Sequence, residues 1–435
     1  MRITMIGTGY VGLVTGACFA DLGHTVTCLD IDASKIAALN AGRVPIFEPG
    51  LEGMIRRNVE KGQLRFETSY ASSIAGANAV FVAVGTPSAD TGKADLSQVH
   101  TTIEMMAPHL TGNTTVIMKS TVPVGTNAEI VERLAGLRPD LTITVGSNPE
   151  FLRQGNAVED FMHPDRIVIG ASDERSRRVL QQIYNPLIHA GVPVVSTNLE
   201  TAELIKYASN SFLAMKLSFI NEMADLCEQT GATIEDVAEG MGLDSRISDR
   251  FLAAGPGFGG SCFPKDTQAL LHTSQIHGAP SRLVAAAVDV NRNRVRTMAD
   301  KIASAVGSGL PGKRIAVLGL TFKANTDDLR ESPAIYIIQD LVGRGAHVVA
   351  YDPEGMENAR LALPGIEYAP DACTAVDGAD ALVIATEWPE FSTLDLASVR
   401  DRLTSPVVVD LRNLYEPAHA AEVGLRYHSI GRRPV

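Results

Sequence analysis

Four glycines lead up to one cysteine in the run Gly255-Pro256-Gly257-Phe258-Gly259-Gly260-Ser261-Cys262-Phe263-Pro264-Lys265-Asp266. A loop of this composition exposes backbone N–H groups and lets a ligand come close. Cys262 stands near Lys265, and a neighbouring cation stabilises a thiolate, the form that attacks carbonyl carbon. The same residues also fit a buried structural cysteine beside a turn, and composition leaves both readings open. Cys18, Cys28, Cys227 and Cys373 read as structural, because they lie in apolar helix or strand patterns or, for Cys373, beside an exposed stretch. Lys206 and Asn210 are four positions apart in a stretch without proline, which puts both on one helix face. Such a pair can donate to a developing oxyanion, or it can be a solvated polar pair.

A second constellation sits at the N-terminus. Gly7-Thr8-Gly9-Tyr10-Val11-Gly12 follows an apolar run and opens a helical pattern, the G-x-G-x-x-G spacing of a dinucleotide turn. Asp30 closes the next apolar run. A carboxylate there accepts from a ribose 2′-OH and repels a 2′-phosphate, which favours NAD over NADP. Lys35, close by, is a cation that could tolerate the phosphate.

These residues need elements to hold them. Short apolar runs at 3–6, 25–29, 79–84, 115–119, 142–145 and 166–169 alternate with helical stretches, the mark of a parallel, doubly wound sheet. From 200 to 231 there is no proline, and the pattern predicts one long helix, then further helices to about 305. A helix of this kind joins domains, makes an oligomer interface or serves as a core helix. Pro311-Gly312 reads as a linker, after which strand–helix alternation resumes at 314–318, 348–351, 381–385 and 407–411. The expected class is α/β. Two Rossmann-like doubly wound domains are joined by a long central helix and a helical dimerisation region. The expected domains are 1–196, 197–305 and 313–435. The second α/β domain lacks the G-x-G-x-x-G spacing, so a second dinucleotide is not expected there. Lys323 and Arg330 stand where a phosphate-rich ligand can be met.

Bulk properties narrow the class. The 435 residues are 45% hydrophobic and 20% charged, ordinary for a soluble protein with large cores. A net charge of -12 disfavours nucleic acid. Five widely spaced cysteines without a C-x-x-C pair favour neither a disulfide framework nor a zinc site, so no metal is expected and a reducing, cytoplasmic setting is. Met1-Arg2 leads straight into the first apolar run, leaving no room for a signal peptide, and no run reaches the length of a membrane span.

Together the segments resemble the UDP-glucose dehydrogenases, within the wider UDP-glucose/GDP-mannose dehydrogenase family. The resemblance covers nearly the whole chain. It is carried by 7–12, Val84-Gly85-Thr86-Pro87, Lys119-Ser120-Thr121-Val122-Pro123-Val124-Gly125, Asn148-Pro149-Glu150-Phe151-Leu152, the run 203–210, the Cys262 loop and 319–333. The family implies that Gly7, Gly9, Tyr10, Val11, Gly12, Asp30, Lys35, Thr86, Thr121, Gln154, Lys265 and Arg330 line an NAD site. It implies that Glu150, Phe151, Leu152, Arg153, Gln154, Lys206, Asn210, Phe251, Leu252, Gly255, Gly259 and Lys323 hold a UDP-sugar. Arg246 resembles an arginine that enters the partner subunit's sugar site, which implies a homodimer. Cys262 would be the nucleophile, Lys206 and Asn210 the oxyanion donors, and Asp266, with Thr121, the proton and water relay.

The implied reaction takes UDP-glucose to UDP-glucuronate with two NAD and water. A first hydride leaves an aldehyde, and Cys262 captures it as a thiohemiacetal. That adduct keeps a C–H, so a second hydride can leave and produce a thioester for hydrolysis. One position departs from the pattern. The family has glutamate where this chain has Gln154, and an amide cannot take a proton as a carboxylate does. GDP-mannose and a UDP-N-acetylhexosamine are the alternative substrates. A single-hydride β-hydroxyacid dehydrogenase shares the Rossmann start and the Lys/Asn pair but needs no Cys262 loop. The non-enzyme alternative is an NAD-sensing binding protein with a degraded site.

Overall fold

The computed structural model describes residues 1–89, 91–307 and 309–435. The N-terminal strands are β1 (Arg2–Ile6), β2 (Thr25–Leu29), β3 (Leu64–Glu67), β4 (Ala79–Val82), β5 (Thr115–Met118), β6 (Thr144–Ser147), β7 (Ile167–Ala171) and β8 (Val194–Thr197). The C-terminal strands are β9 (Arg314–Leu318), β10 (His347–Tyr351), β11 (Glu367–Tyr368), β12 (Ala381–Ile384), β13 (Val407–Asp410) and β14 (Arg426–His428). The chain divides into two units, Met1–Ser209 with Gln268–Ala279, and Asn210–Thr267 with Pro280–Val435.

The first unit holds an eight-stranded sheet in the order β3-β2-β1-β4-β5-β6-β7-β8. Its central strands are buried along their length, which is why they read as continuous apolar runs rather than alternating ones. Phe19 anchors one face. Its ring meets Phe81 at 5.1 Å, Phe161 at 5.2 Å and Tyr184 at 5.4 Å. Truncating a buried phenylalanine of this kind to alanine typically costs about 3–5 kcal/mol. The expectation of a wholly parallel sheet is corrected at one place: β6 and β7 pair antiparallel. Residues 148–166 between them form a loop and the short helix Ala157–Met162, not the long crossover helix a parallel pair requires. Several boundaries move by one or two residues: the strand expected to reach 84 ends at Val82, and the one expected at 142–145 runs Thr144–Ser147. β3, β8, β11 and β14 were not foreseen.

The second unit holds a six-stranded parallel sheet in the order β11-β10-β9-β12-β13-β14. It repeats the opening topology of the first sheet. Gly319 takes the place of Gly7: each has positive φ, and each amide donates 2.8 Å to the last residue of the neighbouring strand. Asp352 takes the place of Asp30. Here, however, the carboxylate is buried and accepts from the Leu320 and Thr321 amides and from Trp388 Nε1 at 3.1 Å. It is occupied by protein donors, the indole of Trp388 among them.

The long helix spans Leu199–Thr230, within one residue of its expected ends. Absence of proline sustains it. Gly231, at φ +82°, ends it by taking the left-handed conformation, and its N–H donates 2.8 Å to the Cys227 carbonyl. Lys206 lies on the part of this helix in the first unit and Asn210 on the part in the second.

Candidate active site

The dinucleotide turn is built by close approach. A Cβ at Gly12 would lie 2.0 Å from the Gly7 carbonyl oxygen, so only glycine lets the helix Tyr10–Asp21 pack on β1. At Gly9 a Cβ would meet nothing within 4 Å. That open space lies at the N-terminus of the helix, where its amides favour phosphate. Asp30 closes β2. Its Oδ2 accepts from the Thr8 amide at 2.8 Å and the Thr8 hydroxyl at 2.7 Å, and its Oδ1 accepts from the Asp32 amide at 3.0 Å. Burial pushes this carboxyl up, but those bonds and the Lys35 ammonium outweigh it and hold it below the usual range. Lys35 Nζ sits 3.6 Å from Asp30 Oδ2, so the residue that could have welcomed a 2′-phosphate is paired with the acid. Open cradle, helix end and ionised acid together fit NAD. Thr86 and Thr121 lie in the loops that follow β4 and β5, joined by the Thr86 hydroxyl donating 2.8 Å to the Thr121 carbonyl.

The segment after β6 carries Glu150 to Gln154. Glu150 is buried with Lys206, Oε1 to Nζ 2.8 Å, and its Oε2 accepts from the Leu152 amide at 2.6 Å. Burial acts to raise Glu150, but the Lys206 charge and hydrogen bond dominate and keep it ionised. Phe151 is stacked by Arg166 at 3.6 Å, with Lys206 5.4 Å from the ring centre. Arg153 is turned onto Asp160, which also accepts the Arg153 amide at 2.8 Å.

In the second unit Cys262 immediately precedes the helix Phe263–Ile276, its carbonyl accepting the Asp266 amide at 2.8 Å. A thiol at a helix N-terminus has its anion favoured. The Arg330 guanidinium is close enough for its charge to act on the Cys262 sulfur, and the Arg330 carbonyl accepts the Gly260 amide at 2.9 Å. Asp266 is buried and accepts from Asn210 Nδ2 at 2.6 Å and from Lys265 Nζ. Lys265 thus carries its charge against Asp266, one residue on. Cys18, Cys28 and Cys227 are buried free thiols, burial pushing Cys28 up to about 12, and Cys373 is exposed.

Residues 1–188 match the NAD binding domain of the UDP-glucose/GDP-mannose dehydrogenase family, 200–293 its central domain and 316–417 its UDP binding domain. The chain belongs to the UDP-glucose/GDP-mannose dehydrogenase family. NAD is its cofactor. It is 54% identical to the UDP-glucose 6-dehydrogenase of Rhizobium meliloti (strain 1021), covering 99% of this chain and 100% of that one. A UDP-glucose dehydrogenase structure from Pyrobaculum islandicum superposes with a TM-score of 0.91 at 40% identity, covering 98% of this chain and 96% of that one. A UDP-D-ManNAc dehydrogenase structure from Pyrococcus horikoshii gives 0.88 at 27% identity, covering 99% of each.

Within this dehydrogenase the other expected residues fall in three groups. Phe251 lies beside the cysteine loop, its ring 6.1 Å from Phe263, in a left-handed conformation at φ 63°. Gly259 is pressed on the Glu331 carbonyl, and Gly255 is held on both sides, donating 2.8 Å to Asn221 Oδ1 and accepting 3.1 Å from Arg294 Nε. Lys323 stands 5.6 Å from the Phe322 ring. Leu252 is different, since its side chain is buried in the hydrophobic core and only its backbone can face a ligand. Arg246 is exposed, paired with Asp244 at 2.6 Å and outside the Cys262 cluster.

Three buried polar residues were not foreseen. Lys119 donates 2.9 Å to Asn148 Oδ1, which also accepts from Tyr184 at 2.6 Å. Glu203 accepts from the Gly125 and Asn127 amides at the start of the helix Thr126–Leu137, and burial pushes it up to about 7. Glu48 accepts backbone amides from Gly155 and Ala157. Lys119 and Glu203 stand in family-like runs, the only sequence signal any of them carried. Glu48 carried none.

Proposed function

We propose that the chain oxidises UDP-glucose to UDP-glucuronate in two hydride steps with Cys262 as nucleophile. The observation that carries this reading is the cysteine cluster: a thiol at a helix N-terminus, with a buried Asp266 one helical turn on that is itself bound by Asn210. A dehydrogenase that stopped at one hydride would need no such group. The full-length likeness to the Rhizobium meliloti enzyme supports glucose as the sugar, and 27% identity to the UDP-D-ManNAc enzyme supports that sugar less.

NAD, when bound, supplies the hydride acceptor. The chain does the rest. Cys262 sulfur bonds to C6 of the aldehyde and the carbonyl oxygen becomes an alkoxide, which Lys206 and Asn210 meet as donors. Asn210 gives one of its two amide hydrogens to Asp266, and Lys206 donates to Glu150. The adduct retains its C–H, and loss of that hydrogen as hydride leaves a thioester. Water then adds, the C–S bond breaks and the thiolate departs. Asp266 and Thr121 are read as the relay that orients this water and moves its proton.

The three-domain division at 1–196, 197–305 and 313–435 belongs to the same reading and is supported by the limits of the three family matches. So does a homodimer. Phe212, Phe219 and Leu226 recur seven apart on the long helix and are 60%, 44% and 53% exposed, an apolar stripe that a second copy would cover, and exposed Arg246 is free of the Cys262 cluster to enter the partner's site. A cytoplasmic setting is supported by five free thiols. Among the described residues no helix is long and apolar enough to cross a membrane.

The test is stoichiometric. NADH absorbance and chromatography should return two NADH for each UDP-glucose consumed, with UDP-glucuronate as product. Cys262→Ser should abolish turnover and leave NADH binding intact. One NADH per sugar with a free aldehyde would overturn the two-step reading.

A further inference from the structure

Glu48 lies between two helices of the first unit, Ala33–Asn40 and Leu51–Glu60, and takes no part in the chemistry above. It is nonetheless buried. An ionised carboxylate is costly to bury unless its lone pairs are met by donors. Here they are met from two directions. Oε1 accepts the Ala157 amide at 2.7 Å, and Oε2 accepts the Gly155 amide at 2.7 Å. Oε2 also accepts the Tyr10 hydroxyl, whose oxygen in turn accepts the Gly155 amide at 3.0 Å.

The two directions are the two halves of the first unit's site. Tyr10 opens the helix that follows the dinucleotide turn. Gly155 directly follows the segment 150–154 assigned to the sugar nucleotide. That segment has other carboxylates holding it, but they are its own neighbours: Glu150 grips the Leu152 amide and Asp160 grips Arg153. Glu48 comes from elsewhere in the chain and joins the segment to the cofactor turn through one side chain.

We propose that Glu48 is a positioning residue that ties the dinucleotide turn to the sugar-nucleotide segment, so that occupancy of one site changes affinity at the other. This rests on the assignment of those two segments made above. A ligand that settles Tyr10 settles the Tyr10–Glu48–Gly155 bonds and with them the backbone after Gln154. By linkage the effect is reciprocal, and coupling of this kind typically changes affinity by about 5- to 150-fold.

The experiment is calorimetric titration of UDP-glucose into the full chain, with and without saturating NADH, a combination that cannot turn over. The unaltered protein should bind UDP-glucose about fivefold or more tightly with NADH present. Glu48→Gln places an amide N–H against a backbone N–H and should bring that ratio below about twofold. Tyr10→Phe is the second variant. It leaves the Glu48 bonds to Gly155 and Ala157 in place and removes only the hydroxyl link, so it should lose the coupling while keeping the loop folded. A purely structural role would weaken both affinities and leave the ratio alone, and that result in both variants would overturn the proposal. A ratio of one in the unaltered protein, with both ligands bound, would overturn the coupling but not the site assignment. Failure of the unaltered protein to bind either ligand would overturn the assignment and the coupling with it.

Discussion

Lys119 is a buried cation whose hydrogen-bond partners, Asn148 and Tyr184, are both neutral. Burial pulls its ammonium down to about 7, the nearby Lys206 charge pulls the same way, and Glu150 opposes them. A neutral Lys119 leaves the Glu150–Lys206 pair balanced at one charge each. The consequence for stability has a definite sign. The unfolded chain holds this proton up to about pH 10.4 and the folded chain only up to about 7, so between those values the unfolded state binds more protons and stability gains from Lys119 as pH rises. Lys119→Met removes the titration at similar volume. Urea unfolding at pH 7, 8 and 9 should show the stability of the unaltered protein rising, relative to the variant, by about 1 kcal/mol per pH unit. Parallel pH curves for the two proteins would show that Lys119 keeps its charge in the fold.

At the scale of elements, the strand–turn–helix unit β1 to Tyr10–Asp21 separates folding from binding at two glycines three residues apart. Gly12 is a packing position: a methyl group would strike the Gly7 carbonyl, and overpacking of this sort costs about 1–3 kcal/mol or more. Gly9 is a ligand position, open on its Cβ side. Gly9→Ala should therefore leave the melting temperature of the ligand-free protein within about 2 °C and weaken NADH by about tenfold or more. Gly12→Ala should lower the melting temperature by several times that amount. Equal melting losses in both variants, read by differential scanning fluorimetry, would mean that Gly9 is held by packing instead.

At the scale of the whole molecule, the proposed homodimer would link the apolar stripe on the long helix to activity through assembly. Phe212 and Phe219 are exposed on this chain, and covering them would bury a few hundred Å² of apolar surface at each copy. Replacing both by glutamate should shift the sedimentation profile from dimer to monomer. If Arg246 completes the partner's sugar site, the monomer should bind NADH normally and turn over at a few per cent or less of the dimer's rate. A monomeric variant with full turnover would remove Arg246 from the site and leave the stripe without a catalytic role.

What the sequence alone determined was whatever local periodicity encodes. β2 and β9 agree residue for residue with the apolar runs at 25–29 and 314–318, and the long helix agrees within a residue at each end, because burial on both faces or an unbroken run of helix formers writes itself into neighbouring positions. The dinucleotide turn and the placing of Lys206 and Asn210 on one helix were legible for the same reason, as patterns within a few residues, whereas local composition left Cys262 open between a nucleophile and a structural thiol. β3 and β8 were not, since β3 alternates over four residues and β8 is an edge strand with half its residues exposed. The antiparallel turn of β7 was not, since direction is set by the path of the connection, not by the strand's own residues. Which donor each charge would choose was also beyond local pattern. Lys265 lies three residues from Cys262 yet bonds Asp266, while Glu48 meets Gly155 and Lys119 meets Tyr184 across long stretches of chain. A buried polar group takes its partner from whatever the folded backbone brings within about 3 Å, and only the tertiary structure decides that.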